Sequence, residues 1–228
     1  MKLALLISVP HAGLVVPAEV RSRCVLTQRQ IVDDGDEGAA EVYDLRDCVA
    51  GYMTTDVARA IVDLNRAETD RRTDGVVKTH TCWNVPIYSE PLTQALVQEL
   101  LARYYRPYHD KLTTLASGAR LGIDCHTMAP FAPPVGSNPG TPRPRICLSN
   151  GEHTCPAAWL HELAACLEQS FEAQVSLNDP FQGGYIVRTH CREIPWVQLE
   201  INRADFLPAQ EKRRRVCEAL ECFCTTVF

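Results

Sequence analysis

Arg120-Leu121-Gly122-Ile123-Asp124-Cys125-His126-Thr127-Met128 is apolar for its first residues and then carries an acid and a histidine. A short apolar run of this kind reads as a buried strand. The stretch after it, residues 129–144, holds six prolines and two glycines and predicts an irregular, stiff loop. The strand therefore ends where its polar groups begin, at one rim of a sheet. In open α/β sheets ligands bind beyond the carboxyl ends of the strands. Asp124 and His126 taken alone fit equally well as a hydrogen-bonded pair with no chemical role. Three further strand-like segments end in the same way. Residues 3–10 run into His11, residues 57–64 into Asp63-Leu64-Asn65-Arg66, and residues 196–201 into Glu200-Ile201-Asn202-Arg203.

Between these segments the pattern alternates. Thr27 caps a predicted helix over 28–33, and a second helix is expected over 36–51. Residues 90–117 show helical spacing through Leu92, Leu96, Leu100 and Tyr104, with Pro107 expected to kink or split the helix near Arg106. Further strands are expected at 145–149, 174–177 and 186–189, and helices at 156–173 and 208–223. Alternation of this kind predicts a single α/β domain over 1–228, a three-layer α/β/α sandwich around a mixed, mostly parallel sheet.

Composition narrows the function. Of 228 residues, 46% are hydrophobic and 22% charged, as in a globular protein, and the net charge of −5 argues against a nucleic-acid partner. The one basic run, Lys212-Arg213-Arg214-Arg215, sits between Glu211 and Glu218 on the expected C-terminal helix and reads as a solvated face. No apolar run approaches the length that spans a bilayer, and the first ten residues read as a strand rather than an export signal, so no membrane partner is expected. Eleven scattered cysteines, an odd number without a Cys-x-x-Cys pair, point to a reducing, cytoplasmic setting. Cys125, beside His126, is a candidate nucleophile.

The four strand ends suggest a metal site. Two histidines and a carboxylate are the usual ligands of a catalytic zinc that keeps one position open. His11 and His126 supply nitrogens, and Asp36 or Glu37, at a predicted helix start, supplies oxygen. Such an ion lowers the pKa of water toward about 7. A further carboxylate must handle the proton, and Glu200 is placed for it. Arg66 with Asn65, and Arg203 at the last strand end, suit a carboxylate-bearing substrate, because the guanidinium fork binds carboxylates in bidentate fashion. His109 reads as a structural side chain on the kinked helix, and His190 as a candidate for the same rim.

The chain also resembles the N-formylglutamate amidohydrolase family. The resemblance lies in Ser8-Val9-Pro10-His11-Ala12-Gly13, Asp36-Glu37-Gly38-Ala39, Val62-Asp63-Leu64-Asn65-Arg66 and Tyr105-Arg106-Pro107-Tyr108-His109. It continues in Asp124-Cys125-His126-Thr127-Met128, Gly183-Gly184-Tyr185 and Gln198-Leu199-Glu200-Ile201-Asn202-Arg203, in the family's order. It implies a phosphorylase/hydrolase-like fold related to zinc carboxypeptidases and aspartoacylase. It further implies about one zinc per chain, an Asn65-Arg66 substrate clamp and Glu200 as general base. Asp36 is favoured over Glu37 because it matches the family's Asp-x-Gly-Ala form. The expected reaction is hydrolysis of a small N-acyl amino acid such as N-formylglutamate. Short peptides or other acylated amines, and a metal-free binding scaffold, are the alternatives.

Overall fold

The computed structural model describes residues 2–135, 138–151 and 153–228; positions 136 and 137 of the proline-rich loop lie outside the described residues. Six strands form one sheet among them. They are β1 (Leu3–Val9), β2 (Val49–Thr54), β3 (Leu121–Met128), β4 (Ile146–Ser149), β5 (Val175–Leu177) and β6 (Trp196–Asn202), ordered β2-β1-β3-β6-β4-β5. The β4–β6 pairing is antiparallel and the other four are parallel. The helices are α1 (Ala18–Arg21), α2 (Gln28–Asp34), α3 (Ala39–Val42), α4 (Gln94–Leu100), α5 (Arg106–Ala116), α6 (Ala157–Phe171), α7 (Tyr185–His190) and α8 (Ala209–Val227). None is long and apolar enough to cross a membrane.

The two-residue period of the strands divides the core into two layers. Leu5, Ile7 and Val9 of β1 face one way, with Ile123 of β3 and Val197 of β6, into a cluster closed by α6 and α8. On α6, Leu160, Leu163 and Leu167 recur at helical spacing, and on α8 Val216, Leu220 and Phe223 do the same. Each such side chain contributes about 1.5–3 kcal/mol on full burial. Leu6 and Trp196 face the other way, against Leu100 and Leu112 of the α4–α5 rod and Ile186 of α7. Helices therefore cover both faces, as a three-layer sandwich requires.

Several elements differ from the sequence expectation. Residues 57–64 are not a strand. Val57 makes a single bridge to Val15, and the chain then turns, with the Ile61 and Val62 amides both donating to Ala58 O. The segment is apolar because it is buried, with Ala58, Ile61, Val62 and Leu64 in the second core. The second strand lies earlier, at Val49–Thr54, where a helix was expected to end; that helix shrinks to the single turn α3. Residues 186–189, read as a strand from their β-branched character, belong to α7, which buries Ile186, Val187 and His190. Short apolar runs do not separate helix from strand by period. The interruption expected near Arg106 is a π-helical turn, Leu101–Tyr105, set just before Pro107, whose ring and missing N–H the wider turn accommodates.

Register then positions the chemistry. Ser8 pairs with Asp124, Asp124 with Gln198, and His126 with Glu200. These side chains share the face opposite the first core, and His126 and Glu200 stand beside each other toward the carboxyl ends of their strands. At the other end of β3, Gly122 lies under Trp196, where an added Cβ would fall 2.2 Å from the indole. Gly122→Ala should therefore destabilise the fold by about 1–3 kcal/mol through overpacking. Urea unfolding measures it, and an unchanged midpoint would contradict the packing described.

Candidate metal centre and active-site cavity

After β1 the chain leaves the sheet through Pro10, which delivers His11 to the rim. Asp36 follows α2, and its amide donates to His11 O at 3.1 Å, so the backbone ties the two positions together. His126 comes from β3, its carbonyl accepting from Tyr43 Oη at 2.7 Å. All three side chains are buried.

Hydrogen bonding fixes the ring orientations. His11 Nε2 donates to Asp63 Oδ1 at 2.8 Å, and His126 Nε2 donates to Asp124 Oδ2 at 2.8 Å. An ionised carboxylate only accepts, so both Nε2 atoms carry a proton and both Nδ1 atoms are turned inward. His126 Nδ1 also donates to Asp36; burial lowers this imidazole, but Asp124 and Asp36 hold it well above its usual range, so a cation bound there would displace the inner proton. Those atoms lie 3.5 Å (His11) and 2.9 Å (His126) from Asp36 Oδ2. His11 Nδ1 is buried with no hydrogen-bond partner.

The three residues fit a metal ion. One ligand atom from each lies within 4.8 Å of the others. Tetrahedral bonds of about 2.0–2.1 Å would put ligand atoms roughly 3.4 Å apart, and Asp36 Oδ2 lies 3.5 and 2.9 Å from the two imidazole nitrogens. A cation among them would also satisfy the orphaned imidazole nitrogen. Glu37, the alternative ligand, is not among the three: its carboxylate turns to the surface and accepts from Arg29 at 3.1 Å through each oxygen.

A buried network holds the two orienting carboxylates. Asp124 accepts from Ser8 Oγ at 2.9 Å and Asn65 Nδ2 at 3.1 Å. Asp63 accepts from the Asn65 amide at 3.0 Å and Arg59 Nε at 3.1 Å. Asn65 Oδ1 in turn accepts from the Ile186 amide at 2.8 Å. Gly184 makes room for this side chain, since a Cβ there would fall 2.3 Å from it. Asn65, expected in a substrate clamp, thus uses its amide inside the protein. Burial pushes the Asp63 and Asp36 carboxyls up, but His11 opposes it in both, with Arg59 at Asp63 and His126 at Asp36. Both end well below the usual carboxylate range.

Glu200 is different. Burial pushes its carboxyl above the usual range; His126 opposes the rise and Asp36 adds to it. Its Oε1 accepts from Gln198 Nε2 at 2.8 Å. It opens onto a cavity of about 300 Å³ shared with His11, Asp36 and His126. Arg66 and Arg203, both expected at the site, line this cavity, as do Arg59 and Arg143. The last two carry little signal in the sequence. Arg59 sat in an apolar run, where an isolated charge is itself a signal, and Arg143 sat in the proline-rich loop, where nothing marked it.

Other candidates fall elsewhere. Cys125 faces the first core, its thiol pushed far up by burial, which rules out an activated nucleophile. His109 Nε2 donates to Leu64 O at 3.1 Å and its Nδ1 lies 2.9 Å from His190 Nε2, so these two brace the backbone behind Asn65.

Fold and site define an α/β protein with a buried two-histidine, one-carboxylate set at the carboxyl edge of its sheet. The sequence profile of the N-formylglutamate amidohydrolase family matches residues 3–207, and the chain belongs to that family. It is 28% identical over 227 residues to an N-formylglutamate deformylase of Pseudomonas putida, covering 92% of this chain and 84% of that one. The crystal structure of an N-formylglutamate amidohydrolase from Ralstonia eutropha JMP134 superposes with a TM-score of 0.82 at 22% identity, over 99% of this chain and 94% of that one. A gene product of Agrobacterium tumefaciens superposes at 0.76 with 16% identity, over 100% and 91% of the two chains.

The rim rests on a buried ion pair. Lys78 Nζ donates to both oxygens of Asp34, at 2.9 and 2.7 Å, and the Cys82 amide donates to the same carboxylate at 2.6 Å. Burial raises the Asp34 carboxyl, but Lys78 and Arg59 hold it below its ordinary value. Lys78→Met would leave that charge without its main partner and should cost about 3–5 kcal/mol. A thermal or denaturant midpoint equal to wild type would show that the pair does not anchor the rim.

Proposed function

We propose that this protein is a divalent-metal amidohydrolase that removes the acyl group from a small N-acyl amino acid. N-formylglutamate is the substrate the relatives' names point to, and zinc is the ion that suits an N, N, O donor set with an open position. The observation that carries the reading is the inward-facing trio of His11 Nδ1, His126 Nδ1 and Asp36 Oδ2 beside the raised carboxyl of Glu200. When bound, a divalent ion supplies Lewis-acid polarisation and lowers the pKa of water toward about 7.

The protein's own groups supply the rest. Glu200 accepts a proton from the attacking water at its free oxygen, Oε1 being held by Gln198, and returns it to the departing amine nitrogen. Water adds to the acyl carbon, the C–N bond breaks, and a carboxylic acid and an amino acid leave. A carboxyl pushed up by burial suits both proton transfers better than an exposed one. His11, Asp36 and His126 hold the ion, while Asp63 and Asp124 keep the two rings oriented. Arg66 and Arg203 are candidate contacts for substrate carboxylates, and Asn65 acts as a brace.

Size favours a small substrate. A cavity of about 300 Å³ lies at the bottom of the ~300–1,000 Å³ range for ligand sites, which suits an acylated amino acid better than a peptide. The unpartnered His11 Nδ1 argues against a metal-free scaffold.

Glu200→Gln keeps the volume and the contact to Gln198 but cannot take up the proton. It should lower kcat by about 10²–10⁴-fold on N-formylglutamate while metal content stays that of wild type. Wild-type kcat in this variant would remove Glu200 from the mechanism.

A further inference from the structure

Three of the four arginines around the cavity are already engaged by the protein. Arg59 donates from Nε to Asp63 at 3.1 Å and from Nη1 to Asp34 O at 3.2 Å. Arg66 donates to the carbonyl and carboxylate of Asp74 at 3.2 and 3.4 Å. Arg203 keeps Nε free, but its Nη2 is pinned to Gly35 O at 2.6 Å and Thr127 O at 3.3 Å.

Arg143 is the exception. Among the described residues its guanidinium has no carboxylate within salt-bridge distance and no hydrogen-bond acceptor, and its Nε is buried without a partner. It is nevertheless held firmly. Its amide donates to Pro130 O at 2.9 Å, and its carbonyl accepts from Asn202 Nδ2 at 3.2 Å, which ties it to the strand carrying Glu200. The guanidinium carbon sits 4.9 Å from the centre of the Phe181 ring, which also lines the cavity. A fixed, planar, half-buried cation without an acceptor is prepared to receive a planar anion.

We infer that Arg143 is the anion anchor of the cavity and takes a carboxylate of the substrate in bidentate fashion. The inference rests on the cavity being the substrate site of an N-acyl amino-acid hydrolase, and it names the residue that makes the site select for acidic substrates. Preorganisation supplies the reason: Arg143 gives up no internal ion pair when it binds, whereas Arg59 or Arg66 would have to release an acid.

The test compares metal-loaded wild type with Arg143→Met and with Arg143→Lys, which keeps the charge but loses the fork. Substrates are N-formylglutamate, its α-amide and N-formylglutamine, so that each carboxylate is removed in turn. Arg143→Met should raise KM for N-formylglutamate by about 10- to 100-fold with kcat little changed, Arg143→Lys falling between. The penalty should vanish for whichever amide lacks the carboxylate that Arg143 holds. Calorimetric binding of glutarate, which needs no turnover, should weaken by a similar factor in Arg143→Met. Glutarate binding lost in the variant, in a protein that hydrolyses none of the three, would sustain the anchor and sink the hydrolase reading. Unchanged KM and glutarate affinity would overturn the anchor. So would an equal penalty on both amides, or a fall in kcat at constant KM, which would place Arg143 at the reacting carbonyl instead.

Discussion

Two hydrogen bonds, from His11 Nε2 to Asp63 and from His126 Nε2 to Asp124, decide what this site can do. Each holds a proton on Nε2 and turns Nδ1 toward the same carboxylate oxygen of Asp36. Were either ring turned over, a ring carbon would take the place of Nδ1 and the donor set would be lost. The rest of the polar interior supports these two contacts. Ser8 donates to Asp124, Arg59 to Asp63 and Asn65 to both, so the buried acids are neither unpaired nor free to rotate.

The same contacts explain why the site sits where it does. Asp124 and His126 are two residues apart on one strand, so the pleat puts both on one face and within reach of each other. Parallel pairing with β6 then sets Glu200 next to His126 without any loop having to place it. His126 and Glu200 therefore stand on strands, while His11 and Asp36 follow β1 and α2. Other segments cross the rim, where Val135 of the proline-rich loop donates its amide to Cys82 O and Trp83 and Phe181 bring apolar surface to the opening.

Much of this was legible in the chain. The fold class follows from alternating elements, and β1, β3 and β6 were readable because long apolar runs end abruptly in polar residues. His11, His126 and Glu200 stood at those ends and do come together. The segment 57–64 was misread because complete burial makes a turn look like a strand. It still carries Asp63 and Asn65 to the rim, where the Asn65 side chain bonds to Asp124 and to the Ile186 amide. Residue type left Asp36 and Glu37 both open and the family resemblance favoured Asp36; the side-chain contacts turn Asp36 inward and pair Glu37 with Arg29. Arg143 was invisible because its meaning lies in partners it lacks, which is a property of three dimensions.

If the inward-facing trio holds a catalytic ion, elemental mass spectrometry on protein purified without a metal-affinity tag should find about one divalent ion, zinc, per chain of wild type and none in His126→Ala. No bound metal in the wild-type protein even after zinc is supplied, or equal metal in both proteins, would mean that the trio is not a metal site.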